Sequence, residues 1–216
     1  MATQEIKKKA DLKVIILGEY SVGKTCFINR YIEGKFQKTE PTIGAAFFLK
    51  QWGPYNVAVW DTAGDERFSG LSSFYCRNAG AAILAFDLSS DATYETLKSR
   101  FVPLVDSATE DDCFKVVVGT KLDLLEPSKR KVTVDEARQY SRDINKNLDY
   151  LKLKRDPYFE TSSLNGINVD EVFEYIFDYC LPINDVEKVR MRNRKSGTVN
   201  LSESTAMTPE SRGKCC

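Results

Sequence analysis

The stretch "LKVIILGEYSVGKT", residues 12–25, decides the fold. Its first part is an apolar run typical of a buried strand. The second part, "GEYSVGKT" at residues 18–25, has the spacing of a phosphate-binding loop, in which glycines let backbone N–H groups converge on phosphates. Apolar residues at helical spacing follow and predict a helix over residues 25–33, whose N-terminus adds positive potential. In this pattern Lys24 reaches the outer phosphates and the Thr25 hydroxyl coordinates Mg²⁺.

Further apolar runs alternate with segments of helical spacing along the chain. Thr133, three residues before Glu136, predicts a capping box at the start of one helix. Gly53-Pro54 predicts a turn that joins two strands as a hairpin. Strands are predicted at 56–60, 79–86, 114–119 and 158–161, and helices at 93–105, 133–147 and 169–181. This alternation predicts an α/β domain with a mostly parallel sheet and helices on both faces.

Composition excludes several classes of chemistry. The 216 residues contain no His, which excludes Ser-His catalysis and His-bound zinc. The 31 Lys and Arg residues equal the 31 Asp and Glu residues, so charge gives no reason to expect a nucleic-acid partner. Four of the six Cys residues stand singly in apolar runs, which is typical of a reducing compartment. There is no signal peptide and no apolar run near membrane-span length, which predicts cytosolic synthesis.

The same composition predicts three parts of the chain. We expect a flexible N-terminus at 1–11, one domain at 12–182, and a tail at 183–216. The tail has few large apolar residues and many Ser, Thr, Arg and Lys, so we predict that it is disordered. Residues 148–156 are either a helix extension or a surface insertion.

The motif "GTKLD", residues 119–123, indicates which base is bound. A carboxylate at Asp123 can accept from both the ring N–H and the exocyclic amine of guanine, a donor pair that adenine lacks at this edge. The stem of Lys121 can lie over the base. Together with the phosphate loop upstream, the motif predicts GTP or GDP as the ligand and disfavours an ATP-using kinase.

Five motifs in order carry a family resemblance: "GEYSVGKT", "PTIGAAF", "WDTAGDERF", "GTKLD" and "ETSSLNGINV". The chain resembles the small GTPases of the Ras superfamily, and "FYCRNAGAAILAFD" with the terminal Cys-Cys is similar to their Rab branch. Within Rab it is most similar to the divergent members numbered twenty and twenty-four. The resemblance implies the P-loop NTPase fold, with a mostly parallel six-stranded sheet and one antiparallel edge strand.

The resemblance also implies roles for individual residues. Thr42 joins Thr25 as a Mg²⁺ ligand, and Asp61 holds the metal through water. Gly64 touches the γ-phosphate, and Phe36 packs edge-on against guanine. The implied GTP site comprises Gly18, Ser21, Val22, Gly23, Lys24, Thr25, Cys26, Phe36, Thr42, Gly64, Thr120, Lys121, Asp123, Ser162 and Ser163, with Asp65, Gly64 and Lys24 as its catalytic residues.

Partners and membrane attachment are likewise implied by the resemblance. Ile43, Phe47, Trp60 and Tyr75 would face effectors, with plain core packing as the alternative for the three aromatic residues. Cys215 and Cys216 would carry geranylgeranyl groups, with a redox or palmitoyl role as the alternative. The basic run at 189–195 either favours an anionic leaflet or keeps a linker soluble. We expect a monomer that meets effectors, an exchange factor, a GTPase-activating protein, a prenylation escort and a GDP-dissociation inhibitor. It would move between the cytosol and an internal membrane, such as endosome, phagosome or Golgi.

Four positions depart from the family pattern. Thr120 replaces Asn, Leu164 replaces Lys, and the segment between Phe36 and Thr42 is a residue short and lacks its Tyr. The fourth departure is Asp65, where small GTPases usually have Gln. Asp keeps an acceptor for the attacking water but loses the donor and adds negative charge near a polyanion.

We therefore predict slow intrinsic hydrolysis of GTP. A general-base role for Asp65 is one alternative. Another is a tolerated surface carboxylate, with a partner supplying the missing function. The rival function is a non-catalytic scaffold of the same fold that stays bound to GTP.

Overall fold

A six-stranded sheet forms the centre of the molecule in the computed structural model, which describes residues 10–64, 69–149 and 152–184. The strand order is β2-β3-β1-β4-β5-β6. Only the edge strand β2 runs antiparallel to its neighbour, and the other pairs are parallel. The predicted sheet is therefore confirmed. Its strands are β1 (Leu12–Leu17), β2 (Ala45–Trp52), β3 (Tyr55–Thr62), β4 (Ala81–Asp87), β5 (Phe114–Thr120) and β6 (Tyr158–Glu160).

Helices cover both faces of this sheet, as the alternating pattern predicted. They are α1 (Lys24–Glu33), α2 (Ser69–Cys76), α3 (Asp91–Thr96), α4 (Val102–Ala108), α5 (Val134–Asp143) and α6 (Val169–Cys180). Short 3₁₀ turns occupy Leu122–Leu124 and Pro127–Lys129. None of the helices in the described ranges is long and apolar enough to span a bilayer.

Alternation along β1 divides the core into two clusters. Val14 and Ile16 point to one face, where they join a cluster that includes Phe27 of α1 and Phe173 of α6. Ile15 and Leu17 point to the other face and join Tyr94, Leu97 and Phe101. All of these side chains are buried. A strand buried on both faces explains why residues 12–17 read as a continuous apolar run.

The predicted helix over 93–105 differs most from the observed structure. A π-helical segment, Leu97–Phe101, separates α3 from α4, and the Val102 N–H donates to the Leu97 carbonyl five residues back. Pro103 stands in the first turn of α4 and lacks an N–H, so the ordinary i to i−4 ladder cannot continue through it. The π-helical turn therefore lies directly before the residue at which the ladder is interrupted.

The helix predicted over 133–147 is shorter, although its start is confirmed. Thr133 Oγ1 accepts from the Glu136 N–H at 3.2 Å, as the capping box predicted. Helix α5 ends at Asp143, and the buried Asn145 then turns away to donate to the Lys115 carbonyl at 2.8 Å. The described part of 148–156 does not continue α5, and it contacts α5 and α6 through Arg142–Asp156 and Tyr175–Arg155 hydrogen bonds. The helix-extension alternative is therefore wrong for the described residues.

The carboxyl ends of the parallel strands meet at one edge of the sheet. The phosphate loop follows β1, Gly64 follows β3, Lys121 follows β5 and Thr161 follows β6. Ligands of open α/β sheets bind at this edge. The predicted motifs, which lie far apart in sequence, thus meet at the carboxyl edge of the sheet.

Candidate functional site

A cleft of about 1380 Å³ lies at this edge of the sheet. Most of the predicted nucleotide-site residues line it. These are Ser21, Val22, Gly23, Lys24, Thr25, Cys26, Phe36, Thr42, Gly64, Thr120, Lys121, Asp123 and Ser163. Gly18, Asp61 and Ser162 are not among the lining residues, but each hydrogen-bonds to one that is.

The phosphate loop has a backbone that favours glycine at defined points. A Cβ on Gly18 would collide with the Ala85 carbonyl of β4, so the loop can approach the sheet only without a side chain there. Gly23 adopts φ 99° and caps α1 without a side-chain hydrogen bond. The first N–H groups of α1 therefore face the cleft, where an anion can accept from them. Ser21 also lies in the left-handed region, at φ 63°.

Lys24 is the cation of this loop and is only 6% exposed. Its Nζ donates to the Gly18 and Glu19 carbonyls at 2.9 and 2.8 Å. Burial lowers the pKa of Lys24 to about 8, although the nearby carboxylate of Asp61 opposes this. Gly64 packs directly against it, because a Cβ at Gly64 would lie 2.5 Å from Lys24 Nζ. An ammonium held this way is ready to exchange carbonyls for phosphate oxygens.

The three predicted metal ligands lie together. Thr25 Oγ1 donates to Asp61 Oδ2 at 2.8 Å and lies 2.9 Å from Thr42 Oγ1, and Thr42 Oγ1 is 3.2 Å from the same carboxylate oxygen. Asp61 Oδ1 is buried and has no hydrogen-bond partner among the described residues. Burial raises the pKa of Asp61 despite hydrogen bonds from both threonines and the charge of Lys24. Converging oxygens and an unsatisfied buried carboxylate oxygen fit a hard divalent cation such as Mg²⁺.

The guanine motif forms the other end of the cleft. The Ser162 hydroxyl donates to Asp123 Oδ1 at 2.6 Å, so the loop after β6 holds the carboxylate that would face the base. Lys121 Nζ pairs with Asp87 Oδ2 at 2.8 Å. Burial would raise the pKa of Asp87, but hydrogen bonds from Lys121 and Ser89 outweigh it and lower the pKa. The ion pair fixes the Lys121 stem along the cleft.

Thr120, the replacement for Asn, ties the two ends of the cleft together. Its buried hydroxyl lies 2.6 Å from the Val22 carbonyl in the phosphate loop and 2.8 Å from the Phe86 carbonyl of β4. The substitution therefore leaves a hydrogen-bond donor next to the phosphate loop. Leu164, the replacement for Lys, lines the cleft and is 47% exposed.

The segment before Thr42 closes the cleft from the opposite side. Phe36 lines the cleft and is 44% exposed. Cys26 lies behind it, with Sγ 3.8 Å from the Gln37 carbonyl and 3.5 Å from Thr39 Oγ1. Residues 35–43 have no regular secondary structure.

The three predicted effector aromatics pack in a row across β2, β3 and α2, and Ile43 lies in the loop just before β2. Ring centroids of Phe47 and Trp60 are 5.4 Å apart, and those of Trp60 and Tyr75 are 5.9 Å apart. Ile43 is 83% exposed and Phe47 45% exposed. Trp60 also packs partly on the core, and Lys13 Nζ lies 4.8 Å from its ring centroid. Trp60 is thus part core and part surface, whereas Phe47 and Ile43 are exposed.

Four of the predicted features lie outside the described residues: Asp65, Cys215, Cys216 and the basic run at 189–195.

Two residues that line the cleft were not included in the sequence analysis. One is Tyr20, which is 55% exposed. Its signal in the sequence was a large aromatic residue inside a glycine-rich phosphate loop. Leu124, 65% exposed at the base end, gave no comparable signal because an apolar residue after a strand is ordinary.

Comparisons with known proteins agree with this geometry. The Ras family matches residues 13–181. The chain is 35% identical to the Ras-related protein Rab-20 of Homo sapiens, across 97% of this chain and 99% of that protein. It is 36% identical to Rab-24 of Dictyostelium discoideum, with the same two shares covered. It is 35% identical to the Ypt/Rab-type GTPase ypt7 of Schizosaccharomyces pombe, across 85% of this chain and 88% of that protein. The chain therefore belongs to the Ras family and, within it, to the Rab branch of small GTPases.

Proposed function

We propose that this protein is a Mg²⁺-dependent guanine-nucleotide switch that hydrolyses GTP slowly and recruits effectors in membrane traffic. The observation that carries the proposal is the convergence of Thr25, Thr42 and Asp61 beside the buried Lys24. Membership of the Rab branch supports GTP binding, GTP hydrolysis and a role in trafficking in general terms.

The phosphates bind at the N-terminus of α1. Backbone N–H groups of Ser21, Val22 and Gly23 donate to them, and Lys24 reaches the outer phosphates. Thr25 and Thr42 would hold Mg²⁺, and Asp61 would hold it through water. Bound there, Mg²⁺ would supply neutralisation of the charge on the transferred phosphoryl group. Cys26 borders the α-phosphate.

The base binds at the other end of the cleft. Asp123 accepts from guanine, with Ser162 fixing its carboxylate, and the Lys121 stem covers the ring. Ser163 closes over the base edge, and Phe36 packs against the base from the opposite side. The Thr120 hydroxyl donates to the Val22 carbonyl, and Gly18, which has no side chain, lets the phosphate loop lie close to β4.

Switching depends on contacts that only the γ-phosphate completes. Thr42 and the Gly64 N–H meet that phosphate, and their segments release when it leaves. Ile43, Phe47 and Trp60 lie between Thr42 and Gly64 in sequence, and together with Tyr75 they would form the effector surface. The exposed fractions of Ile43 and Phe47 support this assignment.

Asp65 makes the intrinsic reaction slow. It lacks the amide donor of Gln and carries negative charge towards a polyanion, which costs on the order of a few kcal/mol before screening. We expect Asp65→Gln to speed single-turnover GTP hydrolysis several-fold, with Asp111→Asn as a charge-matched control far from the cleft. An unchanged or slower rate in Asp65→Gln would remove this argument.

Nucleotide retention tests the central proposal. Purified protein with Mg²⁺ should retain labelled GDP and GTP but not ATP, and Asp123→Ala should abolish the preference. Equal retention of adenine nucleotide would contradict the proposal. If GTP is retained but no GDP forms, even with a cell extract as a source of activator, the rival scaffold function is correct.

Membrane attachment follows the Rab pattern. Geranylgeranyl groups on Cys215 and Cys216 supply the two signals that stable anchoring requires. We place the protein on endosomes, phagosomes or Golgi in alternation with the cytosol. An exchange factor, an activating protein, a prenylation escort and a GDP-dissociation inhibitor would drive this cycle. Imaging a tagged chain with both cysteines changed to Ser tests the attachment.

A further inference from the structure

One arginine of α1 reaches across the base end of the cleft. Arg30 Nε donates to the Ser163 carbonyl at 2.6 Å, and its Nη2 donates to the Leu164 carbonyl. Its Nη1 donates to the Gly34 carbonyl at 2.7 Å. One guanidinium therefore satisfies three carbonyls, and two of them lie more than 130 residues away in sequence.

The three carbonyls belong to the two segments that flank the base. Gly34 caps the C-terminus of α1 and precedes Phe36 by two residues, so the position of Gly34 constrains the position of Phe36. Ser163 and Leu164 line the same cleft as Phe36 and form one wall of it. Gly166 turns this loop at φ 79°, and a Cβ there would lie 3.8 Å from Arg30 Nε. A planar fork with donors in fixed directions suits such a bridge, and a lysine ammonium does not.

The loop that Arg30 holds also holds the guanine-reading carboxylate. Ser162 donates its hydroxyl to Asp123 and accepts from the Asn165 N–H at 3.1 Å. The Ser162 N–H donates to the Ile167 carbonyl at 3.1 Å. Residues 162–167 thus form a hydrogen-bonded unit, with Arg30 on its outer side and Asp123 on its inner side.

We propose that Arg30 is a positioning residue for guanine recognition, which fixes the wall formed by residues 162–167 and through it the Asp123 carboxylate. The inference rests on the proposed function, because it concerns the same nucleotide site. Arg30 itself does not touch the nucleotide in this account. Loss of its three bonds releases the wall, and the base is then held less well and read less selectively.

Dissociation of two labelled nucleotides tests this role. Inosine diphosphate lacks the exocyclic amine of guanine, so it cannot use the full donor pair that Asp123 accepts. In Arg30→Gln we expect GDP to dissociate on the order of ten-fold faster, since hydrogen bonds from a charged group are lost. IDP should accelerate less, so the ratio of the IDP to the GDP dissociation rate should fall towards one. Arg30→Lys should lie between Arg30→Gln and the unsubstituted chain.

Two controls separate positioning from general damage. Arg142→Gln removes an arginine that pairs with Asp156 on the outer side of α5, and both dissociation rates should stay unchanged. Removal of Mg²⁺ should speed GDP release by the same factor in Arg30→Gln and in the unsubstituted chain, because the phosphate end is intact.

Three outcomes bear on the proposal. A lowered IDP-to-GDP ratio in Arg30→Gln, or in Arg30→Lys if the first variant does not fold, supports it. Unchanged GDP dissociation, or equal acceleration of both nucleotides, overturns it and leaves Arg30 a merely structural residue. Failure of the unsubstituted chain to retain GDP contradicts instead the proposed function.

Discussion

Replacing Thr120 with Val should weaken both the domain and its grip on the nucleotide. Thr120 is 2% exposed, and its hydroxyl lies between the carbonyls of Val22 and Phe86. Val has nearly the same shape but no hydroxyl. The substitution therefore leaves two buried carbonyls without this donor and fills its place with a methyl group.

The size of the effect follows from the number of hydrogens. A hydroxyl donates one hydrogen, so it serves one of the two carbonyls at a time. Losing one buried donor costs about 1–3 kcal/mol. We expect the free energy of unfolding of the GDP-bound protein to fall by that amount. Because Val22 belongs to the phosphate loop, a large part of the loss should appear as GDP dissociation about ten-fold faster, since 1.4 kcal/mol is a factor of about ten.

Urea unfolding and GDP release measure the two effects. Thr109→Val is a control for the same change of side chain away from the cleft, because that hydroxyl donates to the Val105 carbonyl at 2.9 Å at the end of α4. The same carbonyl also accepts from the Thr109 N–H, so stability should fall less than in Thr120→Val and GDP release should not change. Thr120→Asn restores the usual family residue with an amide donor and should lose less than Thr120→Val. If Thr120→Val releases GDP at the same rate as the unsubstituted chain, the tether between strand and loop is not needed for binding.

Two further substitutions have definite expected results. In Gly64→Ala the added methyl would lie 2.5 Å from Lys24 Nζ and must displace it, so affinity for a GTP analogue should fall at least about ten-fold and affinity for GDP less. Titration calorimetry measures both affinities, and equal losses would contradict contact with the γ-phosphate. At Glu160, burial would raise the pKa, but hydrogen bonds from Arg130 and Tyr158 outweigh it and lower the pKa below its usual 4.5. Glu160 therefore stabilises the fold above that pH, and this stabilisation is lost as the pH falls. The free energy of urea unfolding between about pH 5 and about pH 3 should depend less on pH in Glu160→Gln than in the unsubstituted chain. Identical pH dependence in the two proteins would refute this role of Glu160.

Apolar runs were sufficient to predict the inner strands β1, β3, β4 and β5, because strands buried on both faces leave continuous apolar runs in the sequence. The edge strand β2 is only partly buried, and it was predicted only from the Gly53-Pro54 turn and the family resemblance. Apolar periodicity did not predict α2, because the sequence before this helix mixes polar and apolar residues without a helical spacing. It also could not predict the π-helical turn before Pro103. There the helical spacing continues in sequence, and only the hydrogen-bond ladder shows that the register changes.

Phosphate and guanine motifs were predictable because backbone geometry and charge demand particular residue types at fixed spacing. Arg30 was not predictable, whereas Tyr20 was missed although an aromatic residue in the phosphate loop was a visible signal. An arginine late in an amphipathic helix reads as a solvated charge, and its partners Ser163 and Leu164 offer only backbone carbonyls, which carry no residue-specific signal. The sequence showed that Thr120 replaces the usual Asn, but its hydrogen bonds to the phosphate loop and β4 could not be predicted, because their acceptors are backbone carbonyls as well.

The distribution of these bonds gives the cleft one firm end and one releasable end. At the base end, Arg30 and Ser162 join several elements through protein groups alone, and Thr120 ties β5 to the phosphate loop in the same way, so none of these bonds requires a nucleotide. At the phosphate end, Thr42 is held through side-chain oxygens of Thr25 and Asp61, the residues that would also hold Mg²⁺, Asp61 through water. Loss of the γ-phosphate can therefore free the Thr42 segment while guanine stays bound. A switch requires this asymmetry, because a cleft held equally at both ends would either keep its shape or lose its ligand.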